Sequence, residues 1–170
     1  TGGVGASLAL LGKQVLCLDG DVGLRNLDIT LGMTDAALMD FSDVMAGRCD
    51  LSRAAVPHPT VSGLHLLTAP LTLPGDFPGE AGFQALLQQA REAYDYVLID
   101  SPAGLGPGFR LAVCGADRAI VVAVGDPSSL RDAQRVVTQL SQLETIHLVV
   151  NRVRPRLLRR QNTTIDDAMD

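Results

Sequence analysis

Four strand-sized apolar runs constrain this chain most: QVLCLD at residues 14–19, YDYVLID at 94–100, RAIVVAV at 118–124 and IHLVVN at 146–151. Each is closed by polar or glycine-rich residues. Runs that are apolar at nearly every position, rather than at every second one, belong to parallel strands covered on both faces. A shorter run, LHLLT at 64–68, completes the set. Between them lie helix patterns at 4–11, 83–93, 105–114 and 130–143, the first stopped by Gly12 and Lys13. This alternation predicts an α/β fold: an open, mostly parallel sheet with right-handed crossovers and helices on both faces. In such sheets ligands bind beyond the carboxyl ends of the strands. Asp19, Asp21 and Asp100 therefore fall on the side where chemistry is expected.

With 170 residues, 46% of them hydrophobic, the chain can bury a proper core, and disorder is excluded. The stretch PLTLPGDFPGEAG at 70–82 reads as a long loop, not a linker, because the alternation resumes after it. One domain over residues 1–170 is expected. No apolar run approaches the ~20 residues of a spanning helix. A net charge of −5 and a pI near 5.0 argue against a general nucleic-acid partner. Cys17, Cys49 and Cys114 are odd in number and lack CxxC spacing, so they read as reduced core thiols of a cytoplasmic protein. His58, His65 and His147 lack metal-ligand spacing. Met33, Met39 and Met45, at six-residue intervals, are assigned to packing.

Three segments bear on chemistry. TGGVG at the start has the glycines of a phosphate-binding loop, but Gly5 is followed by Ala6 and Ser7 where that loop needs Lys and Ser/Thr. These glycines are expected to sit in a closely packed crossover helix. CLDGDVGLRNLD at 17–28 sets Asp19 and Asp21 just past a buried strand, where a carboxylate can orient or deprotonate water, or hold a magnesium-bound water. An ordinary strand-end cap is the alternative, above all for Asp19. VLIDSPAG at 97–104 delivers Asp100 ahead of a small flexible turn, the form of the strand-end acid that holds Mg²⁺ in nucleoside triphosphatases.

Taken together, GASLALLGKQVLCLDGDVGLRNLD, DFSDVMAG, YDYVLIDSPAG, DPSSLRDAQR and LVVNRVRP resemble the MinD branch of the MinD/ParA family of deviant Walker A ATPases over almost the whole chain. The resemblance implies an ATPase with ATP and Mg²⁺ as cofactors. Asp21 would polarise the attacking water, and both Asp21 and Asp100 would stand at the metal, Asp100 in its shell. Ser101, Pro102 and Gly104 would belong to the switch that reports the γ-phosphate. Asn151 would read the adenine edge, with Arg152 covering the base; a plain strand-end Asn is the competing reading. It further implies a homodimer on ATP binding, a MinC-like inhibitor, a MinE-like or other activator, and reversible attachment to the inner face of the cell membrane, in the service of septum placement. Flagellar-number and chromosome-partition ATPases of the same family are alternatives, as is a non-hydrolysing scaffold.

Family spacing puts the catalytic-loop lysine about four residues before Thr1, so the first strand and phosphate loop are expected outside these 170 residues. The chain alone is then expected to bind ATP poorly. Relatives also continue past the last residue to an amphipathic membrane-targeting helix. Arg152, Arg154, Arg156, Arg159 and Arg160 form a basic cluster, read either as a solvated face or as lying near the nucleotide.

Overall fold

The computed structural model describes residues 1–153, which divide into two compact units, Thr1–Gly115 and the residues from 116 on. In the first unit, β1 (Val15–Asp19) lies between β3 (Leu64–Leu67) and β4 (Tyr96–Asp100) and runs parallel to both. The two-residue β2 (Val56–Pro57) pairs antiparallel with β3 at the edge. Every residue of β1 is buried. The period of two sends its side chains alternately to opposite faces. Leu16 and Leu18 pack with Phe41, Phe83, Leu86 and Leu87, whereas Val15 and Cys17 pack with Ala9, Leu27, Met33 and Leu66. β1 is thus covered on both sides, as its unbroken apolar run predicts, whereas β4 is only partly buried and Tyr96 on it is exposed, short of the full cover its run predicts.

One of those covers is α1 (Gly2–Leu10). It takes up GGVG as helix, so the glycine run is no phosphate cradle. A Cβ on Gly5 would stand 2.5 Å from Cys17 Sγ, so hydrogen is the only side chain that lets the helix lie this close to β1. The helix ends where Gly12 and Lys13 predict. Gly12 adopts φ +83, its N–H bonds Ala9 O, and Lys13 N–H bonds Leu8 O, which satisfies the last carbonyls.

The opposite face is covered by α5 (Gly79–Ala93) and α3 (Phe41–Met45). Helix α5 begins four residues before its periodic pattern does, so residues 79–82 belong to it and not to the preceding loop. Three short helices escape sequence reading: α2 (Leu27–Thr30), α3 and α4 (Leu51–Ala54). Four or five residues complete barely one turn, too little for a 3.6-residue period to register. Helix α6 (Pro107–Val113) closes the unit. Met33 lies in the cluster beneath α1, and Met39 and Met45 pack against the cluster on the opposite face, all three in packing roles as expected. Of the cysteines only Cys17 is fully buried; Cys49 and Cys114 are half-buried at the margin of the core.

In the second unit β5 (Arg118–Val124) and β6 (Thr145–Asn151) pair in parallel over seven residues, and α7 (Pro127–Gln139) packs on β5. Asp126 caps α7 through the N–H groups of Ser128 and Ser129 at 3.1 and 3.0 Å. Ile120 and Val122 on β5 are more than half exposed.

Candidate functional site

The parallel register of β1 and β4 sets Asp19 directly beside Asp100, at the carboxyl ends of neighbouring strands. Gly20 N–H continues the ladder with a 2.9 Å bond to Asp100 O. A Cβ on Gly20 would lie 2.8 Å from that oxygen, so the two chains approach closely here. Asp21, half-buried, follows one residue later and heads the loop that leads to α2. Asp21 and Asp100 therefore share one end of one pair of strands. Asp100 also accepts a hydrogen bond from the hydroxyl of Thr1, the residue capping α1.

Asp19, 1% exposed, has a carboxylate aimed back into this loop. Its Oδ1 accepts the N–H of Asp21 at 2.9 Å and its Oδ2 accepts that of Leu27 at 3.1 Å. Burial pushes its carboxyl above the ordinary aspartate value, against the pull of those two N–H groups.

Beyond β4 the chain turns through Ser101, Pro102 and Gly104. Gly104 sits at φ +84, a conformation side chains disfavour, and Pro102 lies against α6, where a Cβ on Gly108 would meet its Cγ at 2.8 Å. Next to this turn is a hollow of about 440 Å³, lined by Asp21 and Pro102 together with Phe77, Glu80, Phe109 and Arg110. A larger hollow of about 510 Å³, around Gln14, His58 and His65, lies at the amino ends of β1 and β3, away from the carboxylates. There His58 is a structural group: Nδ1 accepts the N–H of Thr60 and Val61, which leaves Nε2 to donate to Leu31 O at 3.0 Å.

In the second unit Asn151 ends β6 opposite Val124. Its Oδ1 accepts the N–H of Arg152, and Arg152 itself adopts φ +53. Both residues are exposed. The expected site residues thus fall into two groups: Asp21, Asp100, Ser101, Pro102 and Gly104 at the tips of β1 and β4, and Asn151 with Arg152 at the tip of β6. Arg154, Arg156, Arg159 and Arg160 lie outside the described residues. Among the described residues no three His, Cys, Asp or Glu side chains gather into a metal cage. Two carboxylates at one strand end nevertheless suit Mg²⁺, which takes one or two protein carboxylates and completes its shell with phosphate and water. The strand-end cap read for Asp19 is present, and what sequence reading missed is its reach to a second amide at Leu27 and the Thr1 contact. Both depend on atoms brought together by the fold, although the Asp-Gly-Asp spacing marked the place.

The AAA domain family model matches residues 1–156. The chain is 38% identical to the septum site-determining protein MinD of Synechocystis sp. over 173 residues, covering all of this chain and 65% of the relative. It is 39% identical to MinD of Bacillus subtilis over 164 residues, covering 94% of this chain and 61% of that protein. Among solved structures, the MinC:MinD cell division protein complex of Aquifex aeolicus superposes with a TM-score of 0.89 at 34% identity, covering 99% of this chain and 69% of that one. The chain belongs to the MinD family. Its fold is accordingly that of MinD-like P-loop NTPases. MinD of Pyrococcus horikoshii, solved with Mg-ADP, matches with a TM-score of 0.78 at 25% identity over 98% of this chain and 68% of that one. This MinD-family chain spans just under two thirds of the length of the Synechocystis and Bacillus proteins.

Proposed function

We propose that the protein to which this chain belongs is a Mg²⁺-dependent ATPase that helps position the division septum, and that the residues in both units serve one nucleotide-binding domain. The observation that carries this reading is the placement of Asp21 and Asp100 at one end of the paired strands β1 and β4. Family membership and the Mg-ADP bound to the Pyrococcus relative support it. ATP hydrolysis needs an oriented water, neutralised phosphate charge and a closed site. Asp21 orients the attacking water and takes its proton. Asp100 holds the shell of the magnesium ion, which supplies the charge neutralisation when bound with the triphosphate. Ser101, Pro102 and the positive-φ Gly104 form a turn able to change conformation beside those carboxylates. Asn151 offers the adenine edge one donor and one acceptor, and Arg152 covers the base.

In this reading ATP brings two copies together, a MinC-like inhibitor binds the assembly, a MinE-like or other activator triggers hydrolysis, and the protein works in the cytoplasm with a C-terminal helix attaching it to the inner face of the membrane. The MinC:MinD complex supports the inhibitor. The test is ATP turnover by the complete reading frame, with and without anionic lipid vesicles. Turnover is expected to rise on vesicles, and Asp21→Ala is expected to lower it by about two orders of magnitude or more. No turnover in the unaltered protein would leave a scaffold that keeps the fold without the chemistry.

A further inference from the structure

Asp19 has no part in the steps above, yet it is the most deeply buried acid of the site and neither of its carboxylate oxygens is idle. The amides it accepts from, Asp21 N–H at 2.9 Å and Leu27 N–H at 3.1 Å, stand at the two ends of the loop that carries Asp21. Within that loop the remaining backbone bonds are long: Val22 N–H to Gly20 O at 3.2 Å, and Leu24 and Arg25 N–H to Asp21 O at 3.3 Å. Arg25 at φ +44 gives it a conformation that local preference does not favour, whereas Gly23 takes φ +94 at no such cost. From outside it is supported by one backbone bond, Gly23 N–H to Pro70 O at 3.1 Å, and by Val22 packed against the core cluster. Asp19 itself is held by the sheet in register with Asp100.

We propose that Asp19 is a positioning residue for hydrolysis: its carboxylate clamps both ends of the loop to β1 and so sets the direction of the Asp21 side chain relative to Asp100. The inference rests on the reading of Asp21 as the group that orients water. A carboxylate suits the task because it presents two acceptors and no donor. Asn has one acceptor, and its NH₂ would face the second N–H and leave it unsatisfied.

The test compares the complete protein with its Asp19→Asn variant by steady-state ATPase kinetics, with amide hydrogen exchange read at Asp21 and Leu27. A misdirected Asp21 is expected to lower kcat roughly tenfold to hundredfold while KM for ATP stays within about twofold, because no phosphate contact is lost. One of the two amides should lose protection in the variant. Unchanged kcat in the variant, or kcat falling only together with a rise in KM, would overturn the inference. So would a higher magnesium requirement with both amides still protected, which would put the carboxylate at the metal instead. If the variant does not fold, exchange in the unaltered protein decides: Asp21 and Leu27 amides no better protected than those of Leu24 and Arg25 would refute the clamp. Absence of turnover in the unaltered protein would instead count against the ATPase reading, and the exchange data would still judge the clamp.

Discussion

Cys17 illustrates how single residues set this fold. Its thiol lies under α1 in the space that Gly5 leaves open, and burial pushes its pKa up to about 11 from an ordinary 9.0. For a group that loses its proton less readily when folded, the associated stability is complete below the unfolded pKa and is lost as pH rises through the folded one. Alkaline titration from about pH 9 to 11 should therefore destabilise the protein, and Cys17→Ala should flatten that slope in urea midpoints measured against pH. Burial also raises Cys49 and Cys114, which are more accessible. Iodoacetamide at about pH 8 is expected to modify those two slowly and Cys17 only on unfolding, as mass spectrometry would show. Filling the space from the other side is the complementary experiment. Gly5→Val would drive methyl groups into Cys17 and Leu64, at a cost of about 1–3 kcal/mol in denaturant unfolding.

At the scale of elements, capping matters most where helices are too short to hold themselves. Helix α3 has five residues, and Asp40 supports it through the N–H of Ser42 at 2.8 Å and that of Asp43 at 3.3 Å, while Asp43 returns a bond to Asp40 N–H at 3.0 Å. Asp40→Ala is expected to cost about 1 kcal/mol, read as a lower melting temperature. Asp43 also pairs with Arg48 at 2.7 Å. The Asp40 and Arg48 contacts hold its carboxyl below the usual range. Its stabilising contribution is therefore present above the unfolded pKa and lost as pH falls through the folded value, so an Asp43→Asn variant should show a shallower loss of stability in acid. The cap at Asp40 and the helix it starts were not read from the chain, because one turn carries no period and a lone cap residue marks a helix only beside one. The longer elements were legible: β5 matches its apolar run residue for residue, and the others differ only at their ends.

For the whole molecule, the described strands do not all share the burial of β1. Ile120 and Val122 on β5 and Val149 on β6 present apolar side chains to solvent, as do Leu24, Leu38 and Leu71 in the first unit. Surfaces of this kind bind other apolar groups. The 170-residue chain is therefore expected to bind the dye ANS and to self-associate with rising concentration, whereas Ile120→Ser together with Val122→Ser should reduce both in fluorescence and light scattering.

The order of residues alone determined the alternation of strands and helices, the parallel pairing, the helix over GGVG and the family, because apolar period, glycine position and motif spacing are local properties of a chain. Tertiary structure decided which of the acids faces what. Asp19 and Asp21 are separated by one residue and the chain favours a cap for Asp19, but it is pairing with β4 and the return of the chain at Leu27 that turn Asp19 inward onto two amides and leave Asp21 half-buried at the mouth. That distinction rests on contacts spanning up to some eighty residues, which no local pattern encodes.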